Sequence, residues 1–128
     1  MLEFIKEKQI EYWRTAAISD MELAEIVIQN GKILHGLFCC HLTIEKALKA
    51  HYVKTNNTFA PKTHDFTYLI DRSGLKINDE QKLFLAVLMQ FQLEGRYPDH
   101  ALNSPTKDKS LDYLQKTKDF LQWLISKL

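Results

Sequence analysis

The sequence predicts an all-α protein, an up-and-down helical bundle of four main helices plus one short helix in the middle connection. Three observations predict it. Apolar residues recur at three- and four-residue steps in each segment, the period of one helix face, and none alternates as a half-buried strand does. Glycines punctuate the chain where the stripes stop, at Gly31, Gly74 and Gly95. The 128 residues have the size of one domain, with no internal repeat or low-complexity tract. A single domain over residues 1–128 is therefore expected.

The first helix is expected from about Glu3 to Asn30, with Trp13, Ala17, Asp20, Met21, Ala24, Val27 and Ile28 on one face. Gly31 breaks it. A second stripe of Leu34, Leu37, Phe38, His41, Glu45, Leu48 and Tyr52 runs to Asn56 and Asn57, and the short turn makes the two helices an antiparallel pair. Residues 58–62 form a loop with Pro61, and Thr63 is the expected N-cap of a short helix through Tyr68, Leu69 and Ile70, stopped by Ser73 and Gly74. Asn78 with Gln81 three residues later reads as a capping box. It opens a helix with Leu83, Phe84, Val87, Leu88 and Phe91 on one face, ended by Gly95 as a left-handed cap. Residues 96–104 hold Pro98 and lack periodicity, as a loop does. Pro105, in the first turn, then opens a last helix with Leu111, Leu114, Leu121, Ile125 and Leu128 inward.

Composition bounds the function classes. Hydrophobic residues make up 45% and charged residues 26%, as in ordinary soluble globular proteins, and no stretch approaches a membrane span. The opening MLEFIKEKQIEYW is charged at every turn, unlike a signal peptide. The cysteines Cys39 and Cys40 are neighbours, which is poor disulfide geometry, so a reducing, cytoplasmic location is expected. The net charge of +1 hides an asymmetry. Residues 31–64 carry five lysines and four histidines against the lone Glu45, an excess that either attracts phosphate or is a solvated helix face.

Within that basic segment His41, Glu45 and Lys49 fall on one row of a helix, because residues four apart stack along it. Buried ionisable groups must find partners or shift their pKa. A Glu45 facing Asp20 or His41 is then either part of a structural network or the floor of a ligand site. His41 and Glu45 also have the spacing of two metal ligands, with Cys40 adjacent. Sequence places no third ligand, so neither a metal nor a cofactor is expected.

Three stretches carry a family resemblance. They are Trp13, Ala17, Asp20, Met21 and Ala24; FCCHLTIEKALKAHYV at 38–53, with the run Glu45, Lys46, Ala47, Leu48, Lys49, Ala50; and PKTHDFTYL at 61–69 with EGRYPD at 94–99. Together they resemble the HEPN domain family, in its RYPD-containing, nucleotidyltransferase-associated type. The resemblance implies a homodimer that partners a minimal nucleotidyltransferase and binds nucleotide or RNA. Its ligand-binding residues would be His41, Glu45, Lys49, Arg96, Tyr97 and Asp99. Ribonuclease members carry an Arg followed, after four to six residues, by a His that moves protons at the ribose 2'-hydroxyl and the leaving oxygen. The Arg stabilises the phosphorane, without a metal.

Here the matching catalytic pair is Arg96 and His100, with only Tyr97, Pro98 and Asp99 between them, one residue short of that spacing. Pro98 also disfavours a regular helix there. The RYPD form is similar to members without demonstrated cleavage. The expected function is thus a dimeric nucleotide- or RNA-phosphate-binding partner of a minimal nucleotidyltransferase. The alternative is a metal-independent endoribonuclease, the toxin of a toxin–antitoxin pair.

Overall fold

Gly31 adopts φ +84°, a left-handed conformation that only glycine takes without strain, and this lets the chain reverse in three residues. The computed structural model describes residues 3–92 and 103–128. On either side of the reversal lie α1 (Lys6–Gln29) and α2 (Ile33–Asn56), each of 24 residues. The turn is a Schellman motif: Gly31 N–H donates to Ile28 O at 3.0 Å and Lys32 N–H to Val27 O at 3.1 Å. The helices then pack along their length as the expected antiparallel pair. They approach closely at Gly36, where any Cβ would overlap the side chain of Ile28.

Three shorter helices complete the bundle: α3 (Phe66–Ser73), α4 (Asp79–Met89) and α5 (Lys107–Ser126). The Asn78–Gln81 capping box is present as the sequence predicts, with both reciprocal bonds made. Two caps differ. Asp65, not Thr63, caps α3, its carboxylate accepting from Thr67 N and Tyr68 N, while Thr63 Oγ1 accepts from Asp65 N at 3.1 Å. A carboxylate at the helix N-terminus also meets the positive end of the helix dipole, which favours it over a hydroxyl. Thr106 caps α5, so Pro105 precedes the cap instead of occupying the first turn. The first helix starts at Lys6, later than Glu3, and no side chain caps it. The fourth helix ends at Met89, before Gly95, which lies outside the described residues. Gln90 and Phe91 close onto Val87 O and Leu88 O in tight i→i−3 bonds.

The core lies around α2, which contacts every other helix. Leu37, Ile44 and Leu48 of α2 are fully buried with Ile28, Leu69 and Leu124 from three neighbours. Each such side chain contributes about 1.5–3 kcal/mol by leaving water. Polar ties from α5 to α1 and α2 reinforce the apolar contacts. His51 of α2 donates through Nε2 to Leu124 O of α5 at 2.7 Å, and Lys118 of α5 reaches Glu25 of α1 at 2.7 Å. Leu83 and Leu111 depart from expectation. Both are exposed, and Leu83 stands on the wall of an open groove between α4 and α5. Among the described residues there is no strand, and no helix is long and apolar enough to cross a membrane.

Candidate functional site: a buried polar seam on α2

Because α2 is covered on nearly every side, its polar row cannot face solvent and becomes a seam inside the bundle. Glu45 is its centre, with a side chain only 4% exposed. A carboxylate in such a place must be compensated by charge and hydrogen bonds. Its Oε2 accepts from Lys49 Nζ at 3.1 Å, one helical turn on, and its Oε1 from His64 Nδ1 at 2.7 Å. A carboxylate accepts only, so His64 carries a proton on Nδ1. His64 comes from the loop before α3. There the Thr63 and Asp65 capping bonds, with Thr63 N–H on Pro61 O at 3.1 Å, fix the shape of the loop, and the His64–Glu45 bond ties it to α2.

His41 lies one turn the other way. Its Nδ1 is 3.8 Å from Glu45 Oε1, beyond hydrogen-bonding distance, and neither ring nitrogen has a hydrogen-bond partner among the described residues. The ring stacks on Phe66 with centroids 4.5 Å apart. Burial pushes its pKa down to about 4 against the opposing pull of Glu45, so His41 is neutral at pH 7. The countercharge of Glu45 is Lys49, whose ammonium also sits 5.2 Å from the centre of the Trp13 ring. Beside the seam Lys46 pairs with Asp20 of α1 at 2.6 Å. Cys39 and Cys40 are buried free thiols. Burial raises both pKa values, that of Cys40 to about 12, so neither is poised as a nucleophile.

Residues 10–128 match the family model of the HEPN domain. The chain belongs to the HEPN-domain family. The crystal structure of TT1696 from Thermus thermophilus is similar in fold, with a TM-score of 0.78 over 94% of this chain and 98% of that one, at 18% sequence identity. No curated protein matches.

In this HEPN domain the structure brings together three of the residues that sequence singles out, His41, Glu45 and Lys49. Arg96, Tyr97, Asp99 and His100 lie outside the described residues. Of the two neighbours expected for Glu45, His41 is beside it, whereas Asp20 is taken by Lys46. Sequence reasoning missed His64. It stands in the PKTHDFTYL stretch that carries the family resemblance, and that membership was the available signal; nothing in local spacing connects it to Glu45, 19 residues away. Among the described residues no three His, Cys, Asp or Glu side chains converge as a metal site would need. Two open grooves of about 510 and 490 Å³, against α3–α4 and α4–α5, contain none of Glu45, Lys49 and His64.

Proposed function

We propose that this HEPN domain works as a cytoplasmic homodimer that binds the phosphates of a nucleotide or RNA at the α2 seam and serves as the partner of a minimal nucleotidyltransferase. The observation that carries this reading is the balance of charge around Glu45. One carboxylate faces Lys49 and two imidazoles, while Asp20, the nearby acid on α1, is occupied by Lys46. The acid of the seam and the acid beside it are thus each paired with a lysine, so neither leaves an uncompensated negative charge to repel an anion. Lys49 acts electrostatically from behind the surface. Arg96, Tyr97 and Asp99 of the RYPD segment are assigned direct contacts by the family pattern. The exposed, aromatic-lined groove of Leu83, Phe84, Tyr113, Phe120 and Trp123 supports self-association.

Light scattering with calorimetry tests this. The expected result is a particle of twice the 15.0 kDa chain mass that releases or takes up heat with nucleotides or short RNAs. A monomer with no heat would end the reading. The endoribonuclease alternative rests on Arg96 and His100. Chelator-resistant RNA cleavage that disappears in His100→Ala would put it in place of the binding role.

A further inference from the structure

We infer that the groove between α3 and α4 binds a small amphiphilic anion, an unbranched acyl chain ending in a carboxylate, with Lys76 and Lys82 on the head group and an apolar floor under the chain. The groove follows from how the backbone turns. Gly74 takes φ +66° and ends α3, and Asn78 caps α4, so a short connection joins the two helices. Both pack on α2 more than on each other, and a space of about 510 Å³ stays open between them. That volume lies in the range of small-molecule sites. The groove is separate from the seam, since neither Glu45 nor Lys49 lines it.

Its lining is divided by polarity. Phe66, Ile70 and Leu85 form a buried floor, and Leu75 and Ile77 of the connection pack against the same core. Lys76 stands exposed between those two anchored residues, and Lys82 stands exposed near the start of α4. Asp71 is the other ionisable side chain on the groove among the described residues. None of the three makes an ion pair or a side-chain hydrogen bond with another described residue. Two lysines against one aspartate leave a net charge of +1, which complements a carboxylate monoanion better than a phosphate dianion. The walls suit an extended chain. On α4 the lining runs from Lys82 through Leu85 and Ala86 to Met89, about 10 Å along the helix axis. A ligand along that row has its head beside Lys82 and its tail over Leu85 towards Met89, where it removes apolar surface from water. The lysine stems are themselves aliphatic, so they cover the first carbons of the chain while their ammonium groups hold the carboxylate.

The experiment titrates the full chain with decanoate below its micelle concentration and, separately, with decanol and with acetate, which carry the chain and the head alone. Affinity is read by calorimetry and the place of binding by methyl NMR. Decanoate should bind and move the methyl resonances of Ile70, Ile77 and Met89, while those of Leu83, on the other groove, stay in place. Decanol and acetate should each bind about tenfold more weakly or less. Replacing Lys76 and Lys82 together by Ala should weaken decanoate binding about tenfold, and added salt should shrink that difference. Ala86→Phe, on the exposed side of α4, should fill the groove and abolish binding. The lysine double variant alters exposed side chains alone and carries the test should Ala86→Phe not fold. Lys116→Ala should bind decanoate like the unsubstituted protein. No binding of decanoate, equal affinity for decanol, or full affinity in the folded Ala86→Phe protein overturns the inference. So does a particle mass that falls in Ala86→Phe, which would give the groove to a second copy of the chain. The phosphate-binding reading stands or falls separately, because neither lysine belongs to the seam.

Discussion

Lys49 Nζ lies 3.1 Å from Glu45 Oε2, one helical turn apart, in a pair almost closed to solvent. Removing one partner of such a pair leaves the other charge buried. Lys49→Ala should therefore lower the unfolding free energy by about 3 kcal/mol, since breaking buried pairs costs that order. The double variant Glu45→Leu with Lys49→Leu should recover much of the loss. Urea unfolding of the three variants measures both, and a Lys49→Ala protein as stable as the parent would contradict the pairing.

Acid should loosen the fold through its buried histidines. Burial depresses the pKa of His41 to about 4 from 6.5, and that of His51 in the same direction. Between those values the unfolded chain binds more protons than the folded one, so stability is complete above about pH 6.5 and falls as pH drops towards 4. For His41 the depression corresponds to about 3 kcal/mol across that window. His41→Phe, which keeps an aromatic ring over Phe66, should flatten the profile between those pH values. An unchanged slope in denaturation curves would count against a neutral buried His41.

The α1–α2 contact should not tolerate a methyl group at Gly36. A Cβ there would collide with Ile28 Cγ1 and come within 3.3 Å of the Ile28 backbone nitrogen, which cannot move aside freely. Gly36→Ala should destabilise by about 1–3 kcal/mol, although alanine is the better helix former. Pairing it with Ile28→Ala should relieve the side-chain overlap and restore part of the midpoint in thermal melts.

Both thiols should be silent in the native protein. Cys40 is fully buried and Cys39 nearly so, with thiol pKa values raised by burial. A chromogenic thiol reagent should label them only at the rate of unfolding, and rapid stoichiometric labelling would contradict that burial.

Patterns local in sequence were legible, and those set by the path of the chain were not. The Asn78–Gln81 capping box, the Gly31 reversal and the His41–Glu45–Lys49 row all depend on residues within a turn or two of one another, and each has its structural counterpart. Thr63 and Asp65 both qualify as N-caps by residue type. The choice between them turns on where the loop leaves α2, which periodicity does not encode. Leu83 and Leu111 sit at apolar positions but are exposed, because the period of a stripe marks a helix face without saying how much of it a neighbour covers. His64 reaches Glu45 only once the loop after α2 has folded back along it, so the tightest contact of the seam was invisible to spacing.

The central claim, phosphate recognition by this HEPN domain, is tested most directly by the salt dependence of its affinity for a short single-stranded RNA. The logarithm of the binding constant should fall linearly with the logarithm of salt concentration. Arg96→Ala should weaken binding and reduce the slope by about 0.7, the value for one phosphate contact on a single strand. Lys116, paired with Asp112 at 3.3 Å on the exposed face of α5, should be replaceable by Ala without effect. An affinity indifferent to salt, or an equal loss in the Lys116→Ala control, would contradict the account.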